Sequence, residues 1–236
     1  MNELVGYQFS EGIATVTMDD GKANAMSVHM LQAINGALDR AERDNAVVML
    51  TGRPGMFSGG FDLAAFQREP DEIMRMLEAG ALLTQRLLSF PRPVLAVCTG
   101  HAVAMGAFVL LSADMRVGVD QGARIQIIEV QIGMTLPRFA IEVVRQRLAP
   151  AHAHLGAVTA EPYTPQQALV AGFLDAVAPA DSLLVLARER AARLAKLHPE
   201  SFAATKLRLR QPALASLRDA IRDDQAEWAA SFGRPA

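Results

Sequence analysis

The chain has 236 residues, of which 51% are hydrophobic and 20% are charged, so the composition predicts one large buried core and excludes a disordered protein. The 23 Lys and Arg residues nearly balance the 25 Asp and Glu residues, which argues against a nucleic-acid partner and against attraction to an acidic membrane. The single cysteine, Cys98, excludes a disulfide framework, and the lack of a signal peptide or of a membrane-length apolar run predicts a cytoplasmic protein.

The N-terminal part of the sequence predicts a hairpin followed by a helix. Residues 4–9 and 12–18 have the pattern of two strands joined by a short turn. Ser27 is a suitable N-cap for a helix, because apolar residues recur at three- and four-residue steps from Met30 to Ala41. We therefore expect this helix to pack one apolar face against a core.

Two continuous apolar runs predict strands in a parallel sheet. Residues 46–51 and 94–98 lack the alternation of a half-exposed strand, which is typical of strands buried on both faces. A predicted helix at residues 71–89 lies between them and is ended by prolines. This alternation of strand and helix predicts an α/β core.

The C-terminal part is predicted to be mainly helical. Beyond Pro150 the strand signals nearly vanish, apart from residues 174–177. We therefore divide the chain into an α/β core at residues 1–180 and a helical region at residues 181–236. The apolar stripe of the last helix suits either contact between subunits or packing on the chain's own core.

Two glycine-bearing turns follow the predicted parallel strands, at residues 56–63 and 100–107. The carboxyl ends of neighbouring parallel strands share one edge of a sheet, where ligands bind in α/β proteins. A helix that begins near Ala104 would leave backbone N–H groups free at this edge, and two such groups can hold an oxyanion. Each turn alone is also compatible with a simple connection.

Glu129 is the only charged residue between Arg124 and Arg138, and its neighbours are mostly apolar. A carboxylate in such surroundings is costly unless it is paired or used in chemistry. Two interpretations follow, a catalytic acid–base residue or a structural acid bonded to Arg124 or Arg138. The catalytic interpretation predicts a pKa shifted toward neutrality, because apolar neighbours favour the uncharged carboxyl.

Several motifs, taken in order, resemble those of the enoyl-CoA hydratase/isomerase (crotonase) superfamily over nearly the whole chain. These are Asn24-Ala25-Met26-Ser27, Phe57-Ser58-Gly59-Gly60-Phe61-Asp62-Leu63, Pro93-Val94-Leu95-Ala96-Val97 with Gly100-His101-Ala102, Ser112-Ala113-Asp114, and Glu129 with Ile132-Gly133 and Leu136-Pro137. The resemblance implies a crotonase-like spiral of repeated ββα units. It also implies an acyl-CoA substrate bound by the core, and a C-terminal helical region that helps to form a homotrimer or a dimer of trimers. Since CoA is part of the substrate, no separate cofactor and no metal ion is expected.

The resemblance also implies where the chemistry lies. The backbone N–H groups of Phe61 and Met105 match the family's oxyanion hole, and Glu129 matches a catalytic glutamate. Segments that match the family's substrate- and CoA-binding positions contain Lys22, Ala23, Asn24, Ala25, Gly60, Phe61, Asp62, Leu63, Gly106 and Phe108. The side chains of Phe61 and Met105 are expected either to line the acyl site or to pack in the core, and Asp62 to cap a helix. The basic residues of the C-terminal region suit CoA phosphates or a solvated surface: Arg188, Arg190, Arg193, Lys196, Lys206, Arg208 and Arg210.

Phe108 stands where hydratases of this family have the first of two glutamates that activate water. Phenylalanine can neither bind nor activate water, so hydration lacks one acid. A single glutamate can still move a proton from carbon 2 to carbon 4 of a 3-enoyl-CoA through a dienolate. The sequence therefore resembles most closely the single-glutamate 3,2-enoyl-CoA isomerases. The alternatives are a hydratase, an enzyme that hydrolyses a thioester or a carbon–carbon bond, and a non-catalytic CoA- or RNA-binding member.

Overall fold

The computed structural model describes residues 4–232, which form two sheets surrounded by helices. The strands are β1 (Val5–Ser10), β2 (Ile13–Met18), β3 (Val47–Thr51), β4 (Gly55–Ser58), β5 (Val94–Cys98), β6 (Gly100–Val103), β7 (Met115–Val119), β8 (Ile125–Gln126) and β9 (Ala176–Ala178). The helices are α1 (Val28–Arg43), α2 (Pro70–Ser89), α3 (Met105–Leu111), α4 (Arg138–Arg147), α5 (Pro150–Thr159), α6 (Pro165–Ala171), α7 (Leu183–Ala195) and α8 (Pro199–Phe232). Short 3-10 helices cover Leu63–Gln67 and Val130–Ile132.

The sheet topology confirms the predicted α/β class and the repeated ββα units. The larger sheet has the order β1-β2-β3-β5-β7-β9, and the smaller one has the order β4-β6-β8. The opening hairpin pairs β1 with β2 antiparallel, whereas the neighbouring strands from β2 onward are parallel. Three times in succession, a strand of the larger sheet is followed by a strand of the smaller sheet and then by a helix. This is the spiral that the resemblance implies.

The central strands are buried on both faces, as their continuous apolar sequence predicts. In β3, Val48 and Leu50 belong to the main core, whereas Val47 and Met49 face a second core. That second core is covered by helix α7 through residues such as Ala187. Because helices cover both faces, no polar face is needed, and the strand lacks the alternation of a half-exposed one.

The predicted start of α1 is confirmed. The Ser27 hydroxyl accepts a hydrogen bond from the backbone N–H of Met30, and so satisfies one of the N–H groups that a helix start leaves free. The apolar residues that recur from Met30 to Ala41 are buried, and they place α1 against the main core.

Helix α8 packs on its own chain, chiefly against α2 and α4. Its buried residues include Leu214, Leu217, Ile221 and Trp228, so the apolar stripe is covered within one subunit. Contact between subunits through this region stays a prediction. No helix within residues 4–232 is both long and apolar enough to cross a membrane.

Two of the basic C-terminal residues do not form a solvated face. Lys206 is 6% exposed, and its ammonium group donates to the Asp114 carboxylate (2.8 Å) and to the Leu87 carbonyl (3.1 Å). Arg210 also pairs with Asp114, at 3.1 Å, and donates to the Leu88 carbonyl. The prediction of solvated or phosphate-binding side chains is therefore wrong for these two, because the carbonyls at the end of α2 and the Asp114 carboxylate bind them instead.

Candidate active site

The two glycine turns meet at one edge of the smaller sheet, where β4 lies parallel to β6. Gly60 has a φ of 100°, and a Cβ placed on it would lie 2.8 Å from the Cβ of Ala104 and 3.4 Å from the backbone nitrogen of Met105. A Cβ on Gly106 would lie 2.4 Å from the carbonyl oxygen of Ser58. The turns are thus in direct contact, and side chains at these glycines would force them apart.

The backbone N–H groups of Phe61 and Met105 lie in these two turns. Met105 is the first residue of α3, so its N–H has no partner within the helix. Neither N–H donates a hydrogen bond to any backbone group of residues 4–232. Both residues have negative φ, although Ala104 before the helix has a φ of 50°. The site therefore has two free donors in adjacent turns, and their role as an oxyanion hole stays a prediction.

Glu129 lies three residues after the end of β8 and is the N-cap residue of the 3-10 helix Val130–Ile132. Its side chain is 6% exposed, and its Oε2 atom has no hydrogen-bond partner in the described part of the chain. Arg138 pairs with Asp224 and Glu227 instead, while Arg124 is exposed. The interpretation of Glu129 as a structural acid bonded to an arginine is therefore not supported by any ion pair among residues 4–232.

Burial raises the pKa of Glu129 from its ordinary value of 4.5 to about 7. Its own backbone N–H and that of Ile128 act in the opposite direction, because they stabilise the carboxylate, but burial dominates. A carboxyl group with a pKa near neutrality exchanges its proton readily in both directions. This is the property that the apolar sequence around Glu129 predicts.

Glu129 lines a largely apolar cavity. Among the described residues that line this cavity, Glu129 is the only ionisable one. The other lining residues are Gly59, Phe61, Leu63, Phe66, Leu77, Ala104, Phe108, Ile128, Ile132, Met134, Pro137 and Phe139. Phe108 is 1% exposed and packs edge-on against Phe139, with ring centroids 6.0 Å apart. Such a wall suits an apolar chain, and apart from Glu129 its described residues offer no side chain that could activate water.

The side chains of Phe61 and Met105 point to different surroundings. Phe61 lines the cavity. For this residue the structure therefore agrees with the expectation of a lining side chain rather than with that of core packing alone. Met105 is fully buried and lies outside the lining that the described residues form, so for this side chain the core-packing expectation is the correct one.

Asp20 holds the loop at residues 19–27 together by hydrogen bonds. We did not predict this role from the sequence. Its carboxylate accepts hydrogen bonds from the backbone N–H groups of Lys22 (2.7 Å), Asn24 (2.8 Å) and Ala25 (2.9 Å). Burial alone would raise the pKa of Asp20, but these three bonds and Arg53 together lower it below its ordinary value. The sequence feature that could have indicated this loop is the Asp-Gly pair at positions 20 and 21, which is typical of a turn.

Asn24 joins this loop to the first glycine turn. It is fully buried, and its amide donates to the carbonyls of Met18 (3.0 Å) and Phe57 (3.1 Å). Its own carbonyl accepts from the Ser58 hydroxyl at 2.7 Å. The Asn24 side chain therefore binds the protein itself, which excludes it as a direct ligand contact.

Four further residues of the predicted CoA-binding set, Lys22, Ala23, Asp62 and Leu63, belong to the loops around the first glycine turn and are called the rim here. Lys22 is exposed, and the Ala23 carbonyl accepts from the Gly59 N–H at 2.8 Å. Asp62 caps the 3-10 helix Leu63–Gln67 by accepting from the Ala64 N–H, which confirms its predicted capping role. Leu63 is 65% exposed beside the cavity. Contact of this rim with CoA stays a prediction.

Across residues 4–232, no group of three or more His, Cys, Asp or Glu side chains is arranged to hold a metal ion. The candidate site therefore consists of three features: the carboxyl group of Glu129, the free N–H groups of Phe61 and Met105, and the apolar cavity.

Comparison with known proteins adds a family and several solved relatives. Residues 8–232 match the sequence profile of the family described as enoyl-CoA hydratase/isomerase. A putative enoyl-CoA hydratase of Thermus thermophilus is 33% identical over 82% of this chain and 79% of its own. A crystal structure of a Pseudomonas syringae enoyl-CoA hydratase/isomerase family protein has a TM-score of 0.93 at 42% identity, and covers 94% of this chain and 97% of its own. A Mycobacterium tuberculosis protein is described as an enoyl-CoA isomerase in one structure, which has a TM-score of 0.92 at 41% identity and covers 96% of this chain and 100% of its own. A second structure describes the same protein as a probable enoyl-CoA hydratase and has a TM-score of 0.93 at 41% identity.

Proposed function

The chain belongs to the enoyl-CoA hydratase/isomerase family of enzymes, and we propose that it converts a 3-enoyl-CoA into the trans-2-enoyl-CoA. The observation that carries this proposal is the lone carboxyl group of Glu129 in a cavity that is otherwise apolar. The position at which hydration would need a second acid holds Phe108, which is buried against Phe139.

The proposed reaction is a proton shuttle. The Glu129 carboxylate takes a proton from carbon 2 of the 3-enoyl-CoA, and the electron pair moves into a dienolate whose charge lies on the thioester oxygen. The N–H groups of Phe61 and Met105 stabilise this charge, and loss of one such donor typically costs about a hundredfold to a thousandfold in rate. The protonated Glu129 then returns the proton to carbon 4. CoA enters and leaves as part of the substrate, so the reaction needs no further cofactor.

The relatives support two members of the same reaction class. The similar Mycobacterium tuberculosis protein is described as an isomerase in one structure and as a probable hydratase in another, and the Thermus thermophilus relative is described as a putative hydratase. We favour isomerisation because it needs one acid, and the cavity has one. Hydration is the second candidate. Hydrolysis of a thioester or of a carbon–carbon bond and a non-catalytic role are less well matched, since the first two need an activated water and the last leaves a buried, unpaired acid unexplained.

The binding of CoA and the assembly state complete the proposal. We propose that CoA extends from the thioester along the backbone of residues 22–25 and the turn at Gly60, and the hydrogen bond from Gly59, which lines the cavity, to the Ala23 carbonyl supports this. A homotrimer or dimer of trimers in the cytoplasm is the assembly that the family resemblance favours, with residues 181–236 contributing to it.

Matched substrate panels provide the direct test. Purified protein is given 3-enoyl-CoA and 2-enoyl-CoA substrates of equal chain length, and exchange of the carbon 2 and carbon 4 protons with deuterated solvent is followed by NMR. We expect conversion and exchange with the 3-enoyl-CoA, and hydration at least about a hundredfold slower with the 2-enoyl-CoA, as the absence of a second positioned acid implies. Hydration as fast as isomerisation would reject the assignment.

The pKa of Glu129 predicts a specific pH profile. Because the carboxylate form is the base, kcat/KM should rise by about tenfold per pH unit below neutrality and level off above the pKa of about 7. Measurement of initial rates between about pH 5.5 and 8.5 checks this, since kcat/KM reports groups of the free enzyme. A profile that is flat over this range, in protein that circular dichroism shows to be folded, would contradict the role of Glu129 as base.

Substitution of Phe108 tests why hydration is absent. Phe108→Glu should introduce measurable hydration of a 2-enoyl-CoA, because it supplies the second acid beside Glu129. Phe108→Gln is the matched control, since it adds a polar side chain of the same length without an acid. Loss of the conjugated thioester absorbance measures hydration in both variants. Equal hydration by the two variants would show that the missing acid is not what prevents the reaction.

A further inference from the structure

Helix α2 contains a buried glycine, Gly80, in its interior. A Cβ placed on Gly80 would lie 2.6 Å from both the Cε1 and the Cζ atoms of the Phe61 ring, and 3.2 Å from the Cε methyl of Met105. The side chains of both residues whose N–H groups form the proposed oxyanion hole therefore rest on the same glycine. Real Cβ atoms do not approach carbon atoms at 2.6 Å, so even alanine would displace the ring.

Glycine is an unfavourable residue in the middle of a helix, because it adds backbone entropy to the unfolded chain and no packing to the folded one. The neighbouring positions Leu77, Ala81 and Leu83 are buried apolar residues of the same helix. Only at residue 80 is the side chain absent, and this is the point at which Phe61 and Met105 meet the helix.

Within residues 4–232, the N–H groups of the two donor residues make no hydrogen bond that would fix their own position. Phe61 belongs to no regular strand and forms only an isolated bridge with Met26, next to Gly60 with its φ of 100°. Met105 follows Ala104, whose φ is 50°. Since both N–H groups must stay free for a ligand, these two residues are held by the hydrogen bonds of their neighbours Gly60 and Ala104 and by the packing of their own side chains.

We propose that Gly80 is a positioning residue, whose missing side chain provides a common contact for Phe61 and Met105 and so fixes their N–H groups relative to each other. This inference rests on the proposed oxyanion hole. It adds a role for Gly80, a helix residue that does not line the cavity. The proposal applies to any reaction of this site that places negative charge on the thioester oxygen.

The main test is Gly80→Ala in the full-length protein. The Phe61 side chain also packs against the main core, so we expect displacement of its ring to move the Phe61 N–H group, and a misplacement of about 1 Å can cost about a hundredfold in rate. We expect kcat for the 3-enoyl-CoA to fall by at least about tenfold with KM changed by less than about threefold, since the loss falls on the charged intermediate rather than on the bound substrate. A kcat within about twofold of the unsubstituted protein would overturn the proposal.

A second readout does not depend on turnover. Saturated hexanoyl-CoA labelled with 13C at the thioester carbonyl cannot isomerise, and two well-placed donors should shift its carbonyl resonance downfield when it binds. Gly80→Ala should lose most of this shift while still binding the ligand. If the unsubstituted protein shows the shift but no isomerisation, the proposed reaction fails and the role of Gly80 is still tested. An unchanged shift in the variant would refute the positioning role.

Gly36 of helix α1 supplies the matched control. It is also a glycine in a helix interior, but a Cβ placed on it meets no described atom within 4 Å. Gly36→Ala should leave kcat and the carbonyl shift unchanged, and its melting temperature should be equal or higher because alanine favours the helix.

A double variant separates loss of positioning from misfolding. Leucine lacks the ring atoms that meet the new Cβ, so Gly80→Ala should affect activity much less in a Phe61→Leu background than in the unsubstituted protein. If Gly80→Ala alone does not fold, the comparison is between Phe61→Leu and the double variant, which should agree within about threefold in kcat. A further loss of about tenfold or more in the double variant would show that Gly80 acts independently of Phe61 and would overturn the proposal.

Discussion

Replacement of Glu129 by glutamine is expected to lower turnover of a 3-enoyl-CoA by about a hundredfold to ten-thousandfold. Glutamine keeps the size of the side chain, but it cannot accept and return a proton at neutral pH. The residual rate would come from the free N–H groups of Phe61 and Met105, which the substitution leaves in place. Steady-state kinetics with the 3-enoyl-CoA measures the loss, and deuterium exchange at carbon 2 should fall in parallel.

The same substitution should not weaken the fold. Burial raises the pKa of Glu129 to about 7 in the folded protein, above its ordinary value of 4.5. Between these two values the folded state binds more protons than the unfolded state, so the contribution of Glu129 to stability falls as the pH rises, and it is lost above the folded pKa. Glutamine removes this dependence. We therefore expect the variant to melt at an equal or higher temperature than the unsubstituted protein at about pH 8.

A control separates the catalytic effect from a general effect of losing a carboxylate. Glu200 is exposed in the first turn of α8, and Glu200→Gln should change turnover by less than about twofold, as is usual for surface substitutions. If Glu129→Gln, folded by circular dichroism, keeps near-normal turnover, the proton shuttle is wrong. The same outcome would indicate that an acid outside the cavity lining moves the proton.

The parts of the site that local sequence determines could be predicted. Gly60 and Gly106 allow close approach of two turns, and each turn follows an apolar run that identifies its strand. Glu129 stands out because no other charge lies near it in the sequence. Strand burial, glycine turns and an isolated acid are all visible within a few residues, so their consequences for the fold and for the cavity could be inferred before any contact was known.

The parts that depend on distant contacts could not be predicted. Gly80 has an ordinary position in an amphipathic helix, and only its contact with Phe61 and Met105 distinguishes it. Lys206 has the sequence surroundings of a solvated residue, yet it lies 92 residues from the Asp114 carboxylate that binds it. The pattern of a helix indicates which face is apolar, but it does not indicate which partner a charged residue meets when that helix packs.

A large loss of stability is expected when the contact between Asp224 of α8 and the start of α4 is removed. Asp224 of α8 is 2% exposed, and its carboxylate accepts from the backbone N–H groups of Arg138 (2.9 Å) and Phe139 (2.8 Å) at the start of α4. It also pairs with the Arg138 guanidinium at 3.2 Å. Asp224→Ala would leave two N–H groups without an acceptor, and each such buried group costs about 1–3 kcal/mol. We expect the free energy of unfolding to fall by about 2–4 kcal/mol, measured by urea denaturation.

Two further variants define the cause of this loss. Asp224→Asn keeps one acceptor oxygen and should lose about half as much stability, because it can cap one N–H but cannot pair with Arg138 as an anion. Asp223→Ala is the neighbouring control. Asp223 is paired only with the exposed Arg222 among the described residues, and its loss should cost less than about 0.5 kcal/mol. Equal losses in Asp223→Ala and Asp224→Ala would contradict the capping role.

The position of Asp224 also connects the C-terminal helix to the reaction. The residues that it holds begin α4, and Pro137 and Phe139 at that point line the cavity beside Glu129. Phe139 in turn packs against Phe108 on one side and Trp228 of α8 on the other, with ring centroids at 6.0 and 6.3 Å. If the acyl chain occupies this cavity, as we propose, loosening the start of α4 should raise KM for the acyl-CoA more than it lowers kcat, since Glu129 and the two N–H groups stay in place. The helical C-terminal region thus supports the wall of the cavity beside Glu129 from within the same chain, independently of any role in assembly.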